Sequence, residues 1–126
     1  MKNYLKPSLI IFLFIFSAGI SSCTKKIDVG NFDIEAWQAD SKGCAGVRAD
    51  MTEAIMEVKP KLLELYQKSI IEVLGQPEEQ ELYQRSQTYY VYYIDPAEDC
   101  ENGKENPRKL MVRFTALGIA NEVNIR

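Results

Sequence analysis

The chain has no histidine, which removes Ser/His/Asp and Cys/His nucleophilic pairs, HExxH zinc proteases and every imidazole-bound metal. A serine or threonine nucleophile would need another base, and the only candidates are lysines in polar surroundings. Two adjacent acid pairs, Glu78-Glu79 and Glu98-Asp99, have the residue types for acid/base work or for calcium. Neither lies in an EF-hand spacing, and neighbouring carboxylates on polar loops are ordinarily solvated surface. The reading is therefore a non-enzyme with no catalytic residue, no metal and no cofactor. With 15 basic against 18 acidic residues and a net charge of −3, nucleic acid is not expected as a partner either.

The other notable residues are tyrosines. Thr88 to Ile94 (TYYVYYI) is rich in aromatic and β-branched residues and reads as a strong strand. Alternation places Tyr89, Val91 and Tyr93 on one face and Tyr90, Tyr92 and Ile94 on the other. If helices cover one face, whichever set is outward leaves two tyrosines in a row. Tyrosine combines contact area with a hydrogen-bonding tip at low entropy cost. Tyr89, Tyr90, Tyr92 and Tyr93, with Arg113 on a neighbouring strand, are thus candidates for a protein-binding face. The alternative is that the outward tyrosines only cover cross-strand neighbours such as Met111 and Arg113, ring stacked on guanidinium.

The front of the chain carries an address. Lys2 and Lys6 precede an unbroken apolar run, Leu9 to Phe16, which closes on Ser17-Ala18-Gly19; this is the three-part pattern of a secretory signal. The run is too short to span a bilayer, which takes roughly 20 apolar residues. Ile20-Ser21-Ser22-Cys23 resembles the lipobox of bacterial lipoproteins. The resemblance implies cleavage after residue 22 and diacylation of Cys23, the new N-terminus. Each buried methylene contributes about 0.8 kcal/mol, enough for two or three acyl chains to hold the protein on a membrane. Thr24 follows Cys23 in place of aspartate, so the inner-membrane retention signal of enteric lipoproteins is missing. An outer-membrane destination is implied, and the localisation expected is the outer membrane with the domain in the periplasm.

Removing Lys2 and Lys6 from the 15 basic residues leaves 13 against 18 acidic ones, a balance of −5, so anionic lipid repels the domain. Thr24 to Asn31 reads as a tether of at most about 28 Å. With Cys23 assigned to lipid, Cys44 and Cys100 remain in an oxidising compartment, and one pairing is open to them. A Cys44–Cys100 disulfide is expected.

The elements that position these residues follow from periodicity. Residues 32–126 read as one domain after the signal (1–22) and the lipidated tether (23–31). Phe32 to Ser41 reads as a short helix capped by Asp33, with Trp37 turned to the core. From Met51, the apolar residues Ala54, Ile55, Val58, Leu62, Leu65 and Tyr66 mark one helical stripe, with a kink or a restart expected at Pro60. Ser69 and Glu72 read as a capping box for Ile70 to Leu74, which stops at Gly75. Then the period changes: a weak strand at Leu82 to Arg85, the tyrosine strand, and a polar loop from Asp95 to Lys109 carrying Cys100. Leu110, Val112 and Phe114 line one side of the next strand, and Ile119, Val123 and Ile125 line one side of the last. Helices followed by an antiparallel meander define an α+β two-layer domain.

The run Ser69-Ile70-Ile71-Glu72-Val73-Leu74-Gly75-Gln76-Pro77, the tyrosine strand, and Leu110-Met111-Val112-Arg113-Phe114 through Leu117-Gly118-Ile119 together resemble the SmpA/OmlA (BamE-type) lipoproteins and the related β-lactamase inhibitor protein fold. The similarity covers about 55 residues, from Ser69 to Ile125. It implies helical segments packed on one face of a four-stranded sheet, and a non-catalytic scaffold in an outer-membrane assembly with a protein partner in the envelope. The alternative is an inhibitor or binding module that captures a soluble envelope protein through its sheet face.

Overall fold

A computed structural model describes residues 27–126; the signal segment and Cys23 lie outside the described residues. Four helices come first: α1 (Ile34–Ala39), α2 (Val47–Asp50), α3 (Thr52–Leu62) and α4 (Gln67–Leu74). Four strands follow: β1 (Glu79–Tyr83), β2 (Gln87–Tyr93), β3 (Lys109–Phe114) and β4 (Ala120–Ile125). The strands pair antiparallel in the order β1-β2-β3-β4. This is the expected α+β arrangement. Among the described residues no helix is long and apolar enough to cross a membrane.

The helices bury Trp37, Ile55, Leu62, Ile70 and Leu74 against Tyr90, Tyr92, Leu110, Val112 and Phe114 of the sheet. Large side chains dominate this core, and full burial of each apolar one contributes about 1.5–3 kcal/mol. Ile27 and Val29, read in the sequence as tether, also pack against it.

The Asp33 cap is present, its Oδ1 accepting from the Ala36 amide at 3.0 Å. Phe32 lies just ahead of the cap, with its ring centroid 5.7 Å from that of Trp37. α3 neither restarts at Pro60 nor reaches Tyr66. It carries Pro60 in its last turn, where the missing N–H removes a single helical bond, and ends at Leu62. Beyond it the backbone pairs with the start of β4 instead: the Glu64 amide donates to the Ala120 carbonyl, the Ala120 amide to Leu65, and Tyr66 bridges Ile119. Tyr66 is consequently exposed and Leu65 only partly buried.

Ser69 is not the cap of α4. That helix starts two residues earlier, at Gln67, whose amide donates to the Gly118 carbonyl at 3.0 Å. A tertiary bond from the β3–β4 turn thus occupies one helix-start donor that a side-chain cap would otherwise serve. Gly75 does stop the helix, at φ 81.

β1 lies at Glu79–Tyr83, three residues ahead of the expected weak strand, because its register is set by β2 across Glu79–Val91 and Tyr83–Gln87. Residues 84–86 form the connecting turn, with Arg85 and Ser86 both at φ 61. In β4 a bulge opposite Arg113 and Phe114 shifts the register. Val123 and Ile125 keep the core side as expected, but Ala120 takes the place opposite Phe114 that strict alternation assigns away from it.

Candidate functional site

The far end of β2 and the loop from Ile94 to Arg108 meet the turn between α1 and α2, and the closeness of that meeting dictates the residues used. A Cβ on Gly43 would come within 2.8 Å of the Ile94 carbonyl oxygen and 2.9 Å of that of Asp95. Only glycine fits there, and its φ of +65 favours glycine as well. Next to it, Cys44 and Cys100 form the expected disulfide, Cα atoms 5.5 Å apart. The loop itself is pinned at its ends: Arg108 donates to Asp95 through Nε at 2.8 Å, Nη2 at 2.9 Å and its backbone amide at 3.0 Å. Those bonds hold the Asp95 carboxyl well below the usual carboxylate range, at about 2.

Behind this junction sits a buried polar network that the sequence did not reveal. Arg48 is 2% exposed. Its Nη1 donates to Glu78 Oε1 at 2.7 Å and to the Tyr93 carbonyl at 3.1 Å, and its Nε to the Trp37 carbonyl at 2.9 Å. Its guanidinium carbon lies 4.8 Å from the centroid of the Trp37 ring. Buried Asp40 accepts from the backbone amides of Ala45 and Arg48. Glu78 also accepts from the amides of Lys42 and Tyr93. Expected as solvated surface, Glu78 instead has a side chain only 7% exposed. Its placement depends on Lys42 and Arg48, 30 or more residues earlier in the chain, and on Tyr93, 15 residues later, and no local pattern around Arg48 signals this.

A cleft of about 450 Å³ opens beside the network, lined by Glu78, Glu79, Glu98, Asp99, Lys42 and Tyr93 among others. The two acid pairs of the sequence therefore come together. Three of the four carboxylates already have partners: Arg48 pairs with Glu78, Lys42 bonds Asp99, and the Tyr93 hydroxyl donates to Glu79. The Asp99 carboxyl is held low and the Lys42 ammonium high by their mutual hydrogen bond. The bond to Glu79, with some burial, pushes the Tyr93 phenol up to about 12. None of these shifts brings a group towards neutral pH, where proton exchange would serve catalysis. Among the described residues no group of three or more Cys, Asp or Glu is placed to hold a metal ion.

The tyrosine strand divides unevenly. Tyr90 and Tyr92 face the helices. Tyr90 packs on Phe114 with centroids 4.6 Å apart, and the Tyr92 hydroxyl donates to the Gly75 carbonyl at 2.9 Å. Burial pushes both phenols up. Neither is available to a partner, which corrects their candidacy.

Outward-facing Tyr89 is not open either. It is 8% exposed and forms a small cluster with Val91 and Met111, with the Tyr83 ring edge-on at 5.6 Å. Lys109 lies over the Tyr93 ring, its Nζ 5.0 Å from the centroid. Arg113 pairs with Glu122 at 2.7 Å rather than stacking on a tyrosine. The outer face thus covers itself with its own long side chains, close to the alternative the sequence allowed. Of the four tyrosines of this strand, Tyr93 alone is partly accessible, in the wall of the cleft.

The fold and the junction define a disulfide-stapled α+β domain with a polar recess at one end of its sheet. The chain matches no protein-family profile, no curated protein and no solved structure.

Proposed function

We propose that the protein is a lipid-anchored lipoprotein of the bacterial envelope, held through Cys23 in the outer membrane facing the periplasm, and that it acts there as a non-catalytic scaffold. The observation that carries this reading is the pairing of Cys44 with Cys100. It uses up two of three cysteines and leaves the third in Ile20-Ser21-Ser22-Cys23, four positions ahead of the first described residue. Disulfides persist in exported proteins and are rare in reducing compartments, so the cross-link and the signal-like leader support the same address. Helices followed by a four-stranded meander also suit the BamE-type resemblance. A scaffold role is favoured because Glu78, Glu79 and Asp99 of the cleft already have partners within the domain, which leaves a polar wall suited to a complementary surface.

The test is purification of the full-length protein from gently solubilised native envelope, with co-purifying proteins quantified by mass spectrometry. Stoichiometric recovery of an outer-membrane assembly supports the scaffold role. Recovery of a single soluble envelope protein overturns it in favour of a capture or inhibitor module. The mass of the N-terminal peptide reports acylation of Cys23 in the same sample, and an unmodified Cys23 would refute the anchor.

A further inference from the structure

The domain has an apolar end, and the chain leading to Cys23 departs beside it. Because Ile27 and Val29 belong to the packed domain, only Thr24, Lys25 and Lys26 separate Cys23 from it. Four peptide steps from Cys23 to Ile27 reach at most about 14 Å, half of what the sequence alone suggests. The departure point lies beside the last turn of α3, where Asp28 pairs with Lys61 at 3.8 Å. Lys61 stands two residues before Leu63, and the segment after it is bonded to Gly118 and Ala120 of the β3–β4 turn.

The strand registers place Leu82, Thr88, Phe114 and Ala120 in one row across the sheet at this same end. Large apolar side chains stand exposed at both edges of the sheet along that row. Leu117 at the turn is 81% exposed and Leu82 on the edge strand 88%, and Leu63, Tyr66 and Tyr83 are exposed with them. These are five of the seven large apolar side chains that stand exposed among the described residues. Scattered single exposures are ordinary on a protein surface, whereas a set along one end marks a contact.

We infer that this end of the domain, the rim formed by Leu63, Tyr66, Leu82, Tyr83 and Leu117, rests in the interface of the bilayer that holds the lipid on Cys23. The inference rests on the anchor proposed above. A short tether leaves the domain little freedom to turn its departure end away from the membrane, and leucine and tyrosine suit the boundary between headgroups and acyl chains. The charge balance beyond the signal is −5; Lys25 and Lys26 beside Cys23, and Arg85 in the β1–β2 turn, can meet anionic headgroups, but the leucines and tyrosines of the rim hold by apolar contact, which withstands salt. Docked this way, the domain points the disulfide and the polar cleft away from the membrane, since both lie at the opposite end of β2.

The test uses the full-length lipoprotein in phosphatidylcholine vesicles whose acyl chains carry bromine, a short-range quencher of tryptophan. Leu117→Trp, Leu82→Trp and, as the control beside the disulfide, Val47→Trp are compared with the parent, whose Trp37 is buried in every variant. The expected result is loss of the added emission for Leu117→Trp and Leu82→Trp relative to ordinary vesicles, in low and high salt alike, and none for Val47→Trp. Equal emission from Leu117→Trp and Leu82→Trp in both kinds of vesicle, with acyl chains present on the N-terminal peptide, overturns the inference and leaves the anchor intact. An N-terminal peptide without acyl chains removes the anchor and the inference together.

Discussion

Replacing Arg48 by methionine isolates the contribution of the buried network. The substitution keeps most of the side-chain length and its contact with Trp37, but removes the donors to Glu78, to the Trp37 carbonyl and to the Tyr93 carbonyl. Breaking one partner of a buried ion pair costs about 3–5 kcal/mol, because the other charge is left uncompensated. Glu78 keeps the amides of Lys42 and Tyr93, which places the expected loss near the lower bound, about 3 kcal/mol. A small domain has a urea slope of roughly 1–3 kcal/mol per molar, so the midpoint should fall by about 1 M or more. The single tryptophan, 4.8 Å from the guanidinium, is a natural probe of the transition. In Arg48→Met/Glu78→Gln the unpaired charge is gone, but Lys42 and Tyr93 donate to different oxygens of Glu78 and glutamine keeps an acceptor for only one of them, so the double variant should regain about 1 kcal/mol. Two outcomes would refute the reasoning: an Arg48→Met midpoint indistinguishable from the parent, or a double variant no more stable than the single.

Three further expectations concern the same junction. Reducing the Cys44–Cys100 bond, which closes a sequence separation of 56, should cost up to about 4 kcal/mol of loop-closure entropy, seen as a lower denaturation midpoint in dithiothreitol but not in a Cys44→Ala/Cys100→Ala variant. Asp95 has a folded-state pKa of about 2 against an ordinary 3.8, so its contribution is complete above pH 4 and fades as pH falls towards 2; with Arg108 half in solvent it amounts to about 1–2 kcal/mol. Asp95→Asn should flatten that part of the stability–pH curve, read by denaturation at several pH values. The Tyr93 phenol, raised to about 12 by Glu79, stabilises the fold in full below pH 10 and loses that effect as pH climbs through 12, and ultraviolet titration of Glu79→Gln should show one phenol ionising earlier than in the parent.

The parts of this fold that were legible in the sequence are those where local chemistry and tertiary placement agree. The tyrosine strand, the alternation of Leu110, Val112 and Phe114, the Asp33 cap, the Gly75 stop and the cysteine pairing are of that kind. Where a distant backbone intervened, local signals misled. Ser69 has the type and spacing of a cap, but the Gly118 carbonyl engages the start of the helix two residues earlier. The stripe through Leu65 and Tyr66 continues on paper, yet pairing with β4 ends α3 at Leu62. β1 is a polar edge strand whose register comes from its neighbour, and its sequence has no alternation to betray it. Arg48 and Glu78 are charged residues of ordinary surroundings, and their burial depends on contacts 30 residues apart. The outer tyrosines could be read as covering cross-strand neighbours, but nothing local showed that Tyr83, Lys109 and Glu79 from other strands would engage them in turn.

The Cys44–Cys100 bond also determines how the domain answers force. A pull between Ile27 and Arg126 passes through the cross-link, so only the 17 steps from Ile27 to Cys44 and the 26 from Cys100 to Arg126 can be drawn out. Full extension then yields about 150 Å instead of about 350 Å for the reduced chain. α2, α3, α4, β1 and β2 all lie inside the covalent ring and cannot be drawn out. α1 on one side and β3 and β4 on the other lie outside it, so under tension between the ends the N-terminal helix and the C-terminal hairpin are the parts that can be stripped away while the ring stays closed.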